Sequence, residues 1–231
     1  LFTKPSAEEF ERKVEHLLPR LKKNDVVILA IDSPGGDATS CPHSYRQVER
    51  IRNMGHKVIS STEYLAASCA YMLASAANEI TVSPGASIGN IGAAMPLRKV
   101  QPGNQNYQAS TPAKRVLVTG VAETEQERAF VYEELQRLHT FFTGRVEKYR
   151  GGKIKDKDTA YSGRKFIAET ALELGIADTV IDQQSLFLAY HVSGYHIKKV
   201  EVVKPTNAVT KFIDMVVKQL KDSILDLQKG L

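Results

Sequence analysis

The chain has 231 residues, 42% of them hydrophobic, which is enough to bury a sizeable core in one large domain and too apolar for disorder. Its formal charge is +5, but the basic residues are spread out, with no Arg-rich run and no interleaved aromatics. That distribution argues against a specific nucleic-acid partner. No apolar run nears the ~20 residues that span a bilayer, and the two cysteines, Cys41 and Cys69, form neither a disulfide framework nor a metal-ligand spacing.

The first residue is Leu1, with no initiator methionine and no signal-peptide pattern, as expected of a processed or trimmed chain. Ser6-Ala7-Glu8-Glu9 has the form of a capping box and predicts a helix whose apolar face carries Phe10, Val14, Leu17, Leu18 and Leu21. Pro19 and Asn24-Asp25 close it. Val26 to Ile31, VVILAI, is a continuous run of strand length, expected of a strand covered on both faces in a parallel sheet. It leads into Asp32-Ser33-Pro34-Gly35-Gly36-Asp37. Two adjacent glycines at the carboxyl end of a buried strand let the backbone approach a ligand, and they suit an oxyanion or anion site.

A helix over Ser44 to Asn53, stopped at Gly55, and a strand over Val58 to Thr62 follow. The alternation indicates a right-handed, mostly parallel α/β unit. Ser68 then stands among Ala66, Ala67 and Ala70, between that strand and an apolar helix from Cys69 to Ala77. A serine at a strand-to-helix junction has an exposed hydroxyl beside free helix N–H groups. The alternative reading of Ser68 is a cap on a buried Ala-rich helix.

Glu79 to Val82 predicts another strand, and Ser83 to Gly89 a second glycine-bearing turn. Residues 93 to 113 are rich in Pro, Gln, Asn and Gly, as in a surface excursion. Lys114 to Thr119 has a strand-like pattern. The capping box Thr124-Glu125-Gln126-Glu127 opens a long amphipathic helix to about Tyr149, ended by Gly151-Gly152. A helix from about Gly163 to Leu174, a stop at Gly175 and a strand Ile176 to Ile181 come next. From Asn207 to Leu231 an apolar stripe at helical spacing predicts an amphipathic tail helix. The expected organisation is therefore a domain over 1–204 and a helical tail over 205–231.

A serine hydroxyl attacks well only when a base takes its proton. No histidine lies between His56 and His139, so the place after the serine helix where a Ser-His-Asp arrangement would put its base is empty. A lysine does the same work if it is desolvated and stands near positive charge. Lys114, beside Arg115, is the strongest candidate; the alternative is an ordinary solvated lysine at a strand end.

Ser33-Pro34-Gly35-Gly36, Leu65-Ala66-Ala67-Ser68, Ala86-Ser87-Ile88-Gly89, the segment around Lys114, Tyr161-Ser162-Gly163-Arg164 and Leu172-Glu173-Leu174-Gly175-Ile176-Ala177-Asp178 occur in this order. Together they resemble the signal peptide peptidase family, particularly its SohB-type branch, over nearly the whole chain. The resemblance implies an α/β, ClpP/crotonase-like fold with a mostly parallel sheet flanked by helices. It implies a Ser/Lys-dyad endopeptidase acting on apolar or membrane-associated peptides such as cleaved signal peptides.

Carried onto this chain, Ser68 is the nucleophile, Lys114 the general base and Ser87 the hydroxyl that orients the lysine. The backbone N–H groups of Gly36 and Cys69 form the oxyanion hole, and neither metal nor cofactor is expected. Ring-like homo-oligomers and association with a bacterial inner membrane or an organelle membrane are implied as well. This chain departs from the family at Cys69-Ala70, where Gly-Gly is usual, and at Ala86, where a glycine is usual; the strand expected before the first helix is missing ahead of Leu1. A catalytically impaired interaction subunit is the competing expectation, and an acyl-CoA enzyme on the related crotonase fold is a third.

Overall fold

The computed structural model describes residues 3–23, 25–97 and 109–202. The expected tail helix lies outside them. The run predicted to be covered on both faces is strand β1 (Asp25–Ile31), paired in parallel with β2 (Lys57–Thr62) on one side and β8 (His196–Val202) on the other. Alternate residues of a strand point to opposite faces. Accordingly Val27, Leu29 and Ile31 enter a large core with Phe10, Val14, Tyr45, Val48 and Ile51, while Val26 and Ile28 pack with Ile59 and Leu186. The first core is built by helices α1 (Lys4–Leu17), α2 (Cys41–Asn53) and α3 (Cys69–Ser75). β4 (Glu79–Val82) and the two-residue β7 (Thr179–Val180) complete an all-parallel five-stranded sheet of order β7-β4-β2-β1-β8.

A second sheet has order β3-β5-β6, from Leu65–Ala67, Ser87–Gly89 and Lys165–Ile167. β3 and β5 are parallel, and β6 closes antiparallel on β5. This small sheet is joined to the end of β1 by a bridge between Ser33 and Ala66, with Ser33 N–H donating to the Leu65 carbonyl at 2.7 Å. The Asp32 carboxylate also accepts from the Leu65 N–H at 3.1 Å. The remaining helices are α4 (Pro112–Thr119), α5 (Glu125–Arg150), the single turn α6 (Lys157–Ala160), α7 (Ala168–Leu174) and α8 (Gln183–Val192).

Several expectations need correction. The first helix is capped by Thr3, whose box partner is Ser6, so it begins before the predicted Ser6/Glu9 box. Lys114 to Thr119 is helical despite its β-branched residues, because Thr111 caps it, Pro112 occupies its first turn and Gly120 ends it in the left-handed region. The predicted turn over Ser83 to Gly89 contains strand β5, and the helix expected from Gly163 divides into β6 and α7. Cys41 and Cys69 are joined by a disulfide, with Cα atoms 5.6 Å apart. Their spacing in the chain gave no sign of this pairing.

Candidate active site

The site forms where the β1–α2 turn meets the β3–α3 turn. Ser68 follows β3 directly and adopts φ 54° and ψ −123°, a conformation that side-chain-bearing residues rarely hold. Its N–H donates to the Gly89 carbonyl at 2.8 Å, and its own carbonyl accepts from Met72 at 3.0 Å as α3 begins. The serine is thereby held on a sharp strand-to-helix turn, half-buried, with its hydroxyl at the helix N-terminus.

The facing turn is built around Gly35, at φ +109°. A Cβ there would lie 2.8 Å from the Ser68 Cβ and 2.9 Å from the Ala67 carbonyl oxygen, so glycine is the residue that lets the two turns touch. Gly36 follows it at the surface. Asp37 then folds the chain into α2: its carboxylate accepts from the backbone N–H groups of Thr39 and Ser40 and from both hydroxyls. Burial works to raise the Asp37 pKa, but these four hydrogen bonds outweigh it and hold the carboxyl below its ordinary range.

Ser68, Gly36 and Cys69 line one cavity of about 290 Å³. Its remaining wall is mostly apolar: Met72 from α3, Ala93 and Ala94 after β5, and Leu138, Phe141 and Phe142 from α5. The α5 contribution was missed in the sequence, although Leu138, Phe141 and Phe142 stand at helical spacing on one face. As the first helical residue, Cys69 has an N–H with no carbonyl a turn before it to bond, and Gly36 presents its backbone at the same opening. Such an arrangement can hold a polarised carbonyl oxygen beside a serine hydroxyl, with an apolar side chain in the cavity behind it.

The other two expected site residues stand elsewhere. Lys114 is exposed in the first turn of α4, its N–H bonded to the Thr111 hydroxyl at 3.2 Å, and it is not part of the cavity wall. Ser87 begins β5 opposite Leu65, half-buried, two residues before the Gly89 carbonyl that holds Ser68, and it too lies off the cavity. Arg115, next to Lys114 in the chain, is clamped by Glu127 at 2.5 Å and Glu123 at 2.7 Å.

Parallel strands, the small second sheet and a strained serine at a strand-to-helix turn define an α/β protein of the ClpP/crotonase-like class. Residues 50–190 match the model of Peptidase family S49, and the chain belongs to that family. It is 24% identical over 221 residues to a probable protease SohB of Buchnera aphidicola from Acyrthosiphon pisum, covering 93% of this chain and 65% of that protein. A probable protease SohB of Haemophilus influenzae is 27% identical over 182 residues, which are 76% of this chain and 51% of the relative. The chloroplastic serine protease SPPA of Arabidopsis thaliana is 28% identical over 166 residues, 69% of this chain and 24% of the plant protein. This chain thus spans about half to two thirds of the SohB relatives and a smaller share of the plant protein, and within the family it groups with the SohB type.

Proposed function

We propose that this chain carries the catalytic serine of an endopeptidase, with Ser68 as nucleophile and Lys114 as general base. The observation that carries the reading is the turn at Ser68, strained and pressed against Gly35, at the head of an apolar cavity. Strain of this kind persists only where the surroundings over-determine it, and it concentrates at reacting groups.

In the proposed reaction the Ser68 Oγ bonds to the scissile carbonyl carbon while its proton passes to the Lys114 amine. The Gly36 and Cys69 N–H groups hold the resulting oxyanion. Collapse breaks the C–N bond, Lys114 returns the proton to the leaving amine, and an acyl-enzyme remains. Water then attacks the ester, again giving its proton to Lys114, and the acid product leaves as Ser68 is reprotonated. Ser87 orients the amine.

The apolar wall from Met72, Leu138, Phe141 and Phe142 supports apolar peptide substrates, including membrane-associated ones such as cleaved signal peptides. Lys114 is exposed, so the dryness its role requires comes from bound peptide or from assembly with further copies of the chain. Homo-oligomers and association with a bacterial inner or organelle membrane belong to the same reading. No helix of the described residues is long and apolar enough to cross a membrane. A fluorophosphonate probe tests the proposal: it should modify Ser68 in the assembled protein, as located by peptide mass spectrometry. An unlabelled Ser68 would favour an interaction subunit that has kept the fold.

A further inference from the structure

Both cysteines of the chain meet beside Ser68. Cys41 is the first residue of α2 and Cys69 the first of α3, next to the serine; each is 3% exposed, and both line the cavity that holds Ser68. Their disulfide therefore ties together the starts of the two helices that follow the two site turns. One turn supplies Gly36, the other Ser68 and the Cys69 N–H. A pair of donors aimed at one oxygen loses much of its effect when their spacing relaxes. Among the described residues, two further tethers between the turns, the Ser33–Ala66 bridge and the Asp32 bond to Leu65, lie before Gly35. Beyond Gly36, the disulfide is a covalent brace.

We infer that the Cys41–Cys69 disulfide is a redox control on this active site, which is reactive when the bridge is closed and slowed when it is opened. The partner is a dithiol reductant, reaching the sulfurs through the substrate cavity that they line. One thiolate of the dithiol attacks a bridge sulfur, the S–S bond breaks and a mixed disulfide forms; the second thiol closes on it and releases the other cysteine. Two electrons and two protons pass to the cysteines, and the reductant leaves as its own disulfide. The open pair consists of two thiols whose sulfurs move out of bonding distance into the cavity, and the Gly36 and Cys69 donors are free to separate. Peptide in the cavity covers the bridge, so substrate protects it from reduction.

The inference rests on Ser68 being the reactive group, and one experiment separates the two claims. The rate of fluorophosphonate labelling of Ser68 is measured on oxidised protein, on protein reduced with dithiothreitol, on protein reoxidised with glutathione disulfide, and on Cys41→Ala. All are measured well below the melting transition of the reduced form, with far-UV circular dichroism confirming the fold. Oxidised protein should label at least about fivefold faster than reduced, as expected for weakening one oxyanion contact. Reoxidation should restore the rate. Cys41→Ala should label at the reduced rate whatever the redox state, as should the Cys41→Ala/Cys69→Ala pair. A second readout is alkylation of the two cysteines, which an apolar peptide should slow in the presence of dithiothreitol. Equal labelling of folded oxidised and reduced protein overturns the redox control and leaves the serine assignment standing. Labelling in neither state overturns both.

Discussion

Ser68 and Gly35 are held against one another, and each is costly to the chain in a different way. Ser68 keeps φ 54° with a side chain present, a conformation that costs on the order of 1–3 kcal/mol and that glycine adopts freely. Ser68→Gly should therefore raise the melting temperature while abolishing reactivity, whereas Ser68→Ala should abolish reactivity with no such gain. Gly35→Ala should lower both stability and reactivity. Its Cβ would meet the Ser68 Cβ at 2.8 Å, so the two turns must part, with loss of Ser68 labelling and about 1–3 kcal/mol of stability. Thermal melts and probe labelling of the three variants check both statements. Ser68 and the paired glycines were legible from the sequence because a strand, a turn of small residues and a helix follow one another locally. The φ value of Ser68 was not, since it depends on Gly89 and Gly35, which reach it from β5 and from the β1–α2 turn.

Among the elements, the α4–α5 corner is fastened by the Glu127 carboxylate. It is buried, accepts from Arg115 through both oxygens, and caps the start of α5 through the N–H groups of Glu123 and Thr124. The Arg115 hydrogen bond is the main cause that lowers its pKa from 4.5 to about 2. A carboxyl whose folded pKa is depressed contributes stability above its unfolded pKa and loses it as pH falls through the folded value. The corner, and Lys114 with it, should loosen progressively between about pH 4.5 and 2; Glu127→Gln should remove that pH dependence and be less stable at neutral pH, as read by hydrogen exchange in α4.

Arg150 at the end of α5 is 1% exposed and donates to Asp178 and to the Gly175 carbonyl, both at 2.6 Å. Arg150→Ala would leave Asp178 to Lys153 and the Ile80 N–H, at a cost of about 3 kcal/mol in denaturant melts. The disulfide should add a further ~3 to 4 kcal/mol, from the chain entropy removed by closing a loop of 28 residues. Elements were legible where several signals agreed, as for β1, β2, β4 and α5. The three-residue strands β3, β5 and β6 carry too few residues to show a period. In α4, Val116 and Val118 suggested a strand, although Thr111, Pro112 and Gly120 already marked a helix.

At the scale of the whole molecule, the described chain brings Ser68, Gly36 and Cys69 to one cavity and keeps Lys114 outside it. The sequence located each residue but not their distances, because those depend on how separate turns and, in the proposed reading, separate subunits meet. β8 shows the same limit: its parallel pairing with β1 joins His196 to Asp25 across nearly the whole chain. Light scattering at micromolar protein should give a mass above that of one chain.

The most direct test of the Ser68/Lys114 reading is the hydrolysis rate of an apolar peptide by the assembled wild-type protein, Ser68→Ala, Lys114→Ala and the double variant. Groups that act as one unit fail together. Each single substitution should therefore bring the rate down to that of the double variant while the fold is retained. A Ser68→Ala protein that still cleaves at the wild-type rate would contradict the assignment.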